Sequence, residues 1–97
     1  MKKIYRKDVK DQNILLIGGS GFIGSHLAEE LISRKAKKIV IIDNLIVGEK
    51  KNLKNIFSKI VFIKSNAENI KLLDKVIKKY KIKYIFNLAT IALPFSF

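Results

Sequence analysis

Cysteine and tryptophan are absent from this chain, and histidine and proline occur once each, as His26 and Pro94. Without cysteine there is no disulfide framework and no thiolate metal site. A single histidine excludes a histidine metal cluster as well, so no metal is expected. His26 has no positioned carboxylate or nucleophile beside it in the sequence, and it reads as an ordinary helix residue. No apolar run approaches the ~20 residues of a membrane-crossing helix. The N-terminus, MKKIYRKDVKDQN, has a basic start but lacks the apolar stretch of a signal peptide. A cytoplasmic protein without a membrane partner is the expectation.

Acidic residues are also scarce: 8 against 20 lysine and arginine, a formal charge of +12 over 97 residues. Such a balance favours polyanions such as nucleotides, nucleic acid or anionic lipid. Of the 20 basic residues 18 are lysine, which suits a diffuse field better than bidentate reading of bases. In the sequence the lysines are spread over helical and loop segments rather than gathered in a known motif. A basic nucleic-acid-binding protein is therefore the weakest of three functional readings, and a solvated lysine-rich surface is the plainer account.

The 48% of hydrophobic residues suffices for a core. It is concentrated in four evenly spaced runs, NILLI (13–17), KIVIID (38–43), IVFIK (60–64) and YIFNLA (84–89). Their lack of polar alternation suits strands buried on both faces of a parallel sheet. Between them, Ile23, Leu27, Leu31 and Ile32 form one helical stripe, and Ile70, Leu73, Ile77 and Tyr80 another. NLKNIF (52–57) suits a short helical turn. The resulting alternation predicts an α/β fold, a partial Rossmann fold with four parallel strands in the order 3-2-1-4 and flanking helices. Residues 1–12 read as a basic N-terminal extension and residues 13–97 as the domain. A ligand crevice is expected where strands 1 and 4 diverge.

Only five glycines occur, and four of them, Gly18, Gly19, Gly21 and Gly24, stand together in LLIGGSGFIGSHL (15–27). The spacing Gly18-x-x-Gly21-x-x-Gly24 falls between the first strand and the first helix. Gly18 suits the tight turn that ends the strand. Gly21 lets a diphosphate approach the backbone, and Gly24 lets the helix pack on the sheet. Backbone N–H groups and the helix dipole then face the anion, with Ser20 and Ser25 as further donors. Asp43, at the end of strand 2, lies 19 residues beyond Gly24, close to the ~20 expected of a carboxylate that accepts from ribose hydroxyls. It would repel a 2′-phosphate, and no arginine neighbours it in the sequence. NAD is therefore expected as the dinucleotide, ahead of NADP.

ILLIGGSGFIGSHLAEEL (14–31) resembles the opening of the extended short-chain dehydrogenase/reductase family, in particular its NAD-dependent nucleotide-sugar epimerases and dehydratases. IIDNL (41–45) is similar to that family's second strand, and YIFNLATIALPFS (84–96) to its fourth. The resemblance implies that Gly18, Gly21, Phe22, Ile23 and Gly24 surround the pyrophosphate. Asp43 and Asn44 would meet the adenosine ribose, and Leu88, Ala89 and Thr90 would line the cofactor. KSNAEN (64–69) stands where the family often has a Gly-Asp-Ile-like stretch touching adenine. Asn66 and Ala67 take those places, and an amide oxygen can still accept from the adenine amino group. The family's chemistry also needs a Tyr-x-x-x-Lys pair. Tyr5, Tyr80 and Tyr84 are followed four residues later by Val9, Tyr84 and Leu88. No catalytic residue is therefore assigned, and the domain reads as truncated before its catalytic segment. The leading expectation is the NAD-binding N-terminal portion of a nucleotide-sugar epimerase or dehydratase. It would not be catalytic alone, its catalytic and sugar-binding residues lying in a missing C-terminal part. The alternative is a stand-alone nucleotide-binding module, or half of a split enzyme whose second chain carries those residues.

Overall fold

The computed structural model describes residues 9–18, 21–44, 53–66 and 68–88. Along these the chain runs β1 (Asn13–Ile17), α1 (Phe22–Ser33), β2 (Lys38–Asp43), a 3-10 turn (Phe57–Lys59), β3 (Val61–Lys64), α2 (Ile70–Lys79) and β4 (Tyr84–Asn87). The four strands form one parallel sheet in the order β3-β2-β1-β4, as the alternation of elements predicts.

The sheet is covered on both faces, which is why its central strands need apolar residues without alternation. Ile14 and Leu16 of β1 and Ile39 and Ile41 of β2 point to the α1 side, where Ala28 and Leu31 cover them. Leu15, Ile17, Val40 and Ile42 point to the other side and meet Leu73 and Val76 of α2. All eight of these strand side chains are at most 2% exposed. Each contributes about 1.5–3 kcal/mol on burial, before conformational entropy is set against it. The outer strands β3 and β4 are only half-buried. Placing α1 and α2 on opposite faces is what right-handed crossovers require when the chain winds outward to β3 and then returns past β1 to β4.

Two details differ from the sequence reading. Ile23 is not on the buried stripe of α1 but 73% exposed, and Gly24 and Ala28 take the inner face instead. Small residues there let the helix axis approach the sheet. In α2 the buried pair is Leu73 and Val76, with Ile70 exposed and Ile77 and Tyr80 half-buried. The short helical turn expected over 52–57 is present along its described part, 53–57, where Ile56 N–H donates to Leu53 O and the 3-10 turn follows. Its Leu53 and Ile56 are buried on the α1 face.

Residues 9–12 pack onto the domain at the N-terminal end of the sheet. Val9 is fully buried, Asp11 N–H donates to Lys35 O, and Gln12 O accepts from Lys37 N–H. Asn13 Nδ2 donates to Tyr80 O at 2.8 Å and ties the end of α2 to the start of β1. The remainder of the expected extension, 1–8, lies outside the described residues.

Candidate cofactor site

In a parallel sheet every strand ends at the same edge, and here that edge gathers the candidate residues. Gly18 follows β1, Asp43 ends β2 and Asn44 follows it, Asn66 comes two residues after β3, and Leu88 directly after β4. Backbone bonds hold the edge together. Gly18 N–H donates to Ile42 O (2.7 Å), Leu88 N–H to Ile17 O (2.8 Å) and Ser65 N–H to Asp43 O (3.0 Å).

Gly18 has φ of 83°, in the left-handed region where a Cβ is costly. A glycine ends this strand because the backbone must turn there toward α1. Gly21 is different. It is the N-cap of α1 with φ of −75° and ψ of 176°, extended backbone open to any residue. A Cβ built on it would meet nothing within 4 Å. Neither backbone conformation nor packing within the described residues requires a glycine at this position. What the missing side chain leaves is open space in front of the helix.

That space adjoins the start of α1. Among the described residues no side chain caps this helix, and its first turn holds no acid. The first-turn N–H groups of a helix have no intrahelical acceptor and carry the positive end of its dipole. An anionic group is the matching occupant, and a diphosphate without bulk at residue 21 suits the opening. Ser25, one turn into the helix, is 6% exposed and its N–H donates to Gly21 O. His26 is exposed and lies 3.8 Å from Glu29 along the helix surface.

Asp43 is 5% exposed at the end of β2, between the two neighbouring strand ends. Beside it the side chains of Asn44 and Asn66 meet, Asn44 Nδ2 donating to Asn66 Oδ1 at 3.3 Å. The two positions that the sequence reading assigned to ribose and to adenine are thus one linked pair. The register explains it: Asp43 is opposite Lys64, so the residues just after each strand fall side by side. The second lone pair of the Asn66 oxygen remains able to accept another donor. The sequence reading did not foresee this pair, although two asparagines at the ends of adjacent strands signal it once the strand order is known. Phe22 starts the helix, and the described part of the molecule includes its backbone but not its side chain. Gly19, Ser20, Ala67, Ala89 and Thr90 lie outside the described residues.

Comparison with known proteins agrees with this geometry. The family model described as the NAD dependent epimerase/dehydratase family matches residues 14–95. A dTDP-D-glucose 4,6-dehydratase of Dictyostelium discoideum is 38% identical over 90 residues, 87% of this chain and 20% of that protein. Among solved structures, the dTDP-glucose 4,6-dehydratase of Bacillus anthracis in complex with NAD superposes with a TM-score of 0.78. It is 34% identical over 82% of this chain and 27% of its own. The Bordetella bronchiseptica enzyme WbmF, in complex with NAD+ and UDP, superposes with a TM-score of 0.75. It is 29% identical over 88% of this chain and 24% of its own. The chain spans only 11% to 27% of the length of matched relatives such as these. The match runs through the glycine loop and all four strands, which is the region where the sheet edge and the helix start were built above, and on this basis the chain belongs to the NAD-dependent epimerase/dehydratase family.

Proposed function

We propose that this chain is the NAD-binding N-terminal portion of a nucleotide-sugar epimerase or dehydratase. The observation that carries the reading is Gly21, a glycine that packing among the described residues does not need, in front of a helix that no described side chain caps. In this reading Gly18, Gly21, Phe22, Ile23 and Gly24 border the pyrophosphate, with the first-turn N–H groups of α1 as donors. Asp43 and Asn44 accept from and donate to the adenosine ribose. Asn66, with Ala67, faces the adenine, and Leu88, Ala89 and Thr90 form the wall on the β4 side. The carboxylate of Asp43 favours NAD over NADP, since a 2′-phosphate would meet a like charge. Bound NAD supplies reversible acceptance of a hydride from a sugar carbon. The described residues bind and orient the dinucleotide and exclude water from the sheet edge. The proton-transfer pair of such an enzyme is not in this sequence, which holds no Tyr-x-x-x-Lys. It comes from residues further along a longer protein, together with the sugar site.

A second reading, in which a separate chain supplies those residues, is favoured by β4. It pairs with β1 on one side and is the last strand of the described sheet, a ready place for another strand.

The test is a calorimetric titration of the chain with NAD and with NADP. The expected result is saturable NAD binding, NADP at least tenfold weaker, and loss of that preference in Asp43→Ala. Equal affinity of the unaltered chain for both dinucleotides would overturn the assigned role of Asp43.

A further inference from the structure

The end of the sheet opposite the proposed cofactor site carries a second feature, which appears only when the chain is folded. Three segments meet there: residues 9–12 before β1, 34–38 before β2 and 79–83 before β4. They are joined by Asp11 N–H to Lys35 O, Lys37 N–H to Gln12 O, Lys83 N–H to Asn13 O and Asn13 Nδ2 to Tyr80 O. The three segments hold eight lysines and arginines and one acid, Asp11. Arg34 is paired with Glu30 at 2.6 Å. The side chains of Lys35, Lys37, Lys38, Lys79, Lys81 and Lys83 are all exposed. Tyr80 marks the centre of the group, with Lys38 Nζ 5.8 Å and Lys79 Nζ 5.3 Å from its ring centroid.

Lysine at the end of a helix is partly explained by the helix dipole, which favours cations there. That accounts for Lys79, but not for Lys37, Lys81 and Lys83, which lie beyond the helices. Gathering so many like charges costs repulsion, and a polyanion relieves it. We propose that this pole binds the phosphate backbone of a nucleic acid without reading its sequence. Lysine ammonium groups match phosphates as point charges and lack the planar fork that reads bases. An anionic membrane fits less well, because among the described residues the exposed large apolar side chains, Ile23, Phe57 and Ile70, all lie outside these three segments. A second copy of this chain is disfavoured by its own charge of +12.

The test is fluorescence anisotropy of a labelled 20-nucleotide single strand of mixed sequence with the full chain, from 50 to 300 mM salt. Two triple variants of equal net charge are compared. One reverses the pole (Lys37→Glu, Lys81→Glu, Lys83→Glu), and the other reverses exposed lysines elsewhere (Lys64→Glu, Lys71→Glu, Lys75→Glu). The expected result is at least a tenfold loss at 100 mM salt for the pole variant and less than threefold for the other. The slope of log affinity against log salt should also flatten by about 2 for the pole variant, three phosphates at roughly 0.7 each. Circular dichroism melts of both variants keep misfolding from passing as lost binding. Equal losses in the two variants would assign the binding to net charge and overturn the proposal. So would no binding by the unaltered chain at 100 mM salt, a strong preference among strands of different sequence, or tighter binding to phosphatidylserine vesicles with the same dependence on the pole.

Discussion

Gly18 and Gly21 are three residues apart in one loop, yet they are glycines for different physical reasons, and substitution separates them. Gly18 is set by its backbone: at φ of 83° an alanine carries a strain of about 1–2 kcal/mol. Gly18→Ala should therefore lower the melting temperature of the free chain and leave its fold unchanged, which a thermal melt would show. Gly21 has no such strain, and the proposed ligand is the reason offered for it. Its φ of −75° accommodates a side chain, and a Cβ there touches nothing. Gly21→Val should keep the melting temperature within a few degrees while weakening NAD at least tenfold. The glycine spacing was readable from the sequence, but it could not say which glycine answers to strain and which to space. That distinction needs φ and the surroundings of the missing Cβ. The Asn44–Asn66 contact was unreadable for a related reason. Twenty-two residues separate the partners, and only the parallel register of β2 and β3 makes them neighbours.

At the level of elements, the strands were legible because both faces of the sheet are covered. Continuous apolar runs such as NILLI and KIVIID have no other stable use in a chain of this polarity. Their order followed from the doubly wound pattern that alternating strands and helices adopt. The helix faces were less legible, since a stripe of large apolar residues was taken to mark the inner side. In α1 close packing favours Gly24, Ala28 and Leu31 inside and leaves Ile23 at the exposed first turn. The two helices also begin differently. α2 is capped by its own chain, Asn69 Oδ1 accepting from Leu72 N–H at 3.2 Å. Asn69→Ala should cost about 1 kcal/mol of stability, measured by urea unfolding, with no effect on NAD affinity. Among the described residues α1 has no such cap, which leaves its first-turn N–H groups for the proposed ligand. A central substitution tests the two-sided core: Leu16→Ala should cost about 2–5 kcal/mol and leave the free chain largely unfolded at 37 °C.

Among the described residues of the whole molecule, one end of the sheet holds Gly18, the start of α1 and Asp43, and the other holds the group of lysines around Tyr80. The surface ion pairs, Arg34–Glu30 and Lys78–Asp74, are exposed and within one helix each, so they add little to stability. Stability instead rests on the two apolar layers, and raising salt to 0.5 M should change the melting temperature by no more than a few degrees. The half-buried strands β3 and β4 and the small share of its relatives' length that the chain covers describe a sheet with capacity for more structure. Of the residues proposed to border NAD, Gly21 separates binding from folding most cleanly, because a Cβ there meets nothing within 4 Å. The decisive measurement is a titration of NAD into the chain and into Gly21→Val, each first shown to be folded by its thermal melt. The account predicts saturable binding by the unaltered chain and at least tenfold weaker binding by a variant of equal stability. Unchanged affinity in a folded Gly21→Val, or no affinity in a folded unaltered chain, would contradict it.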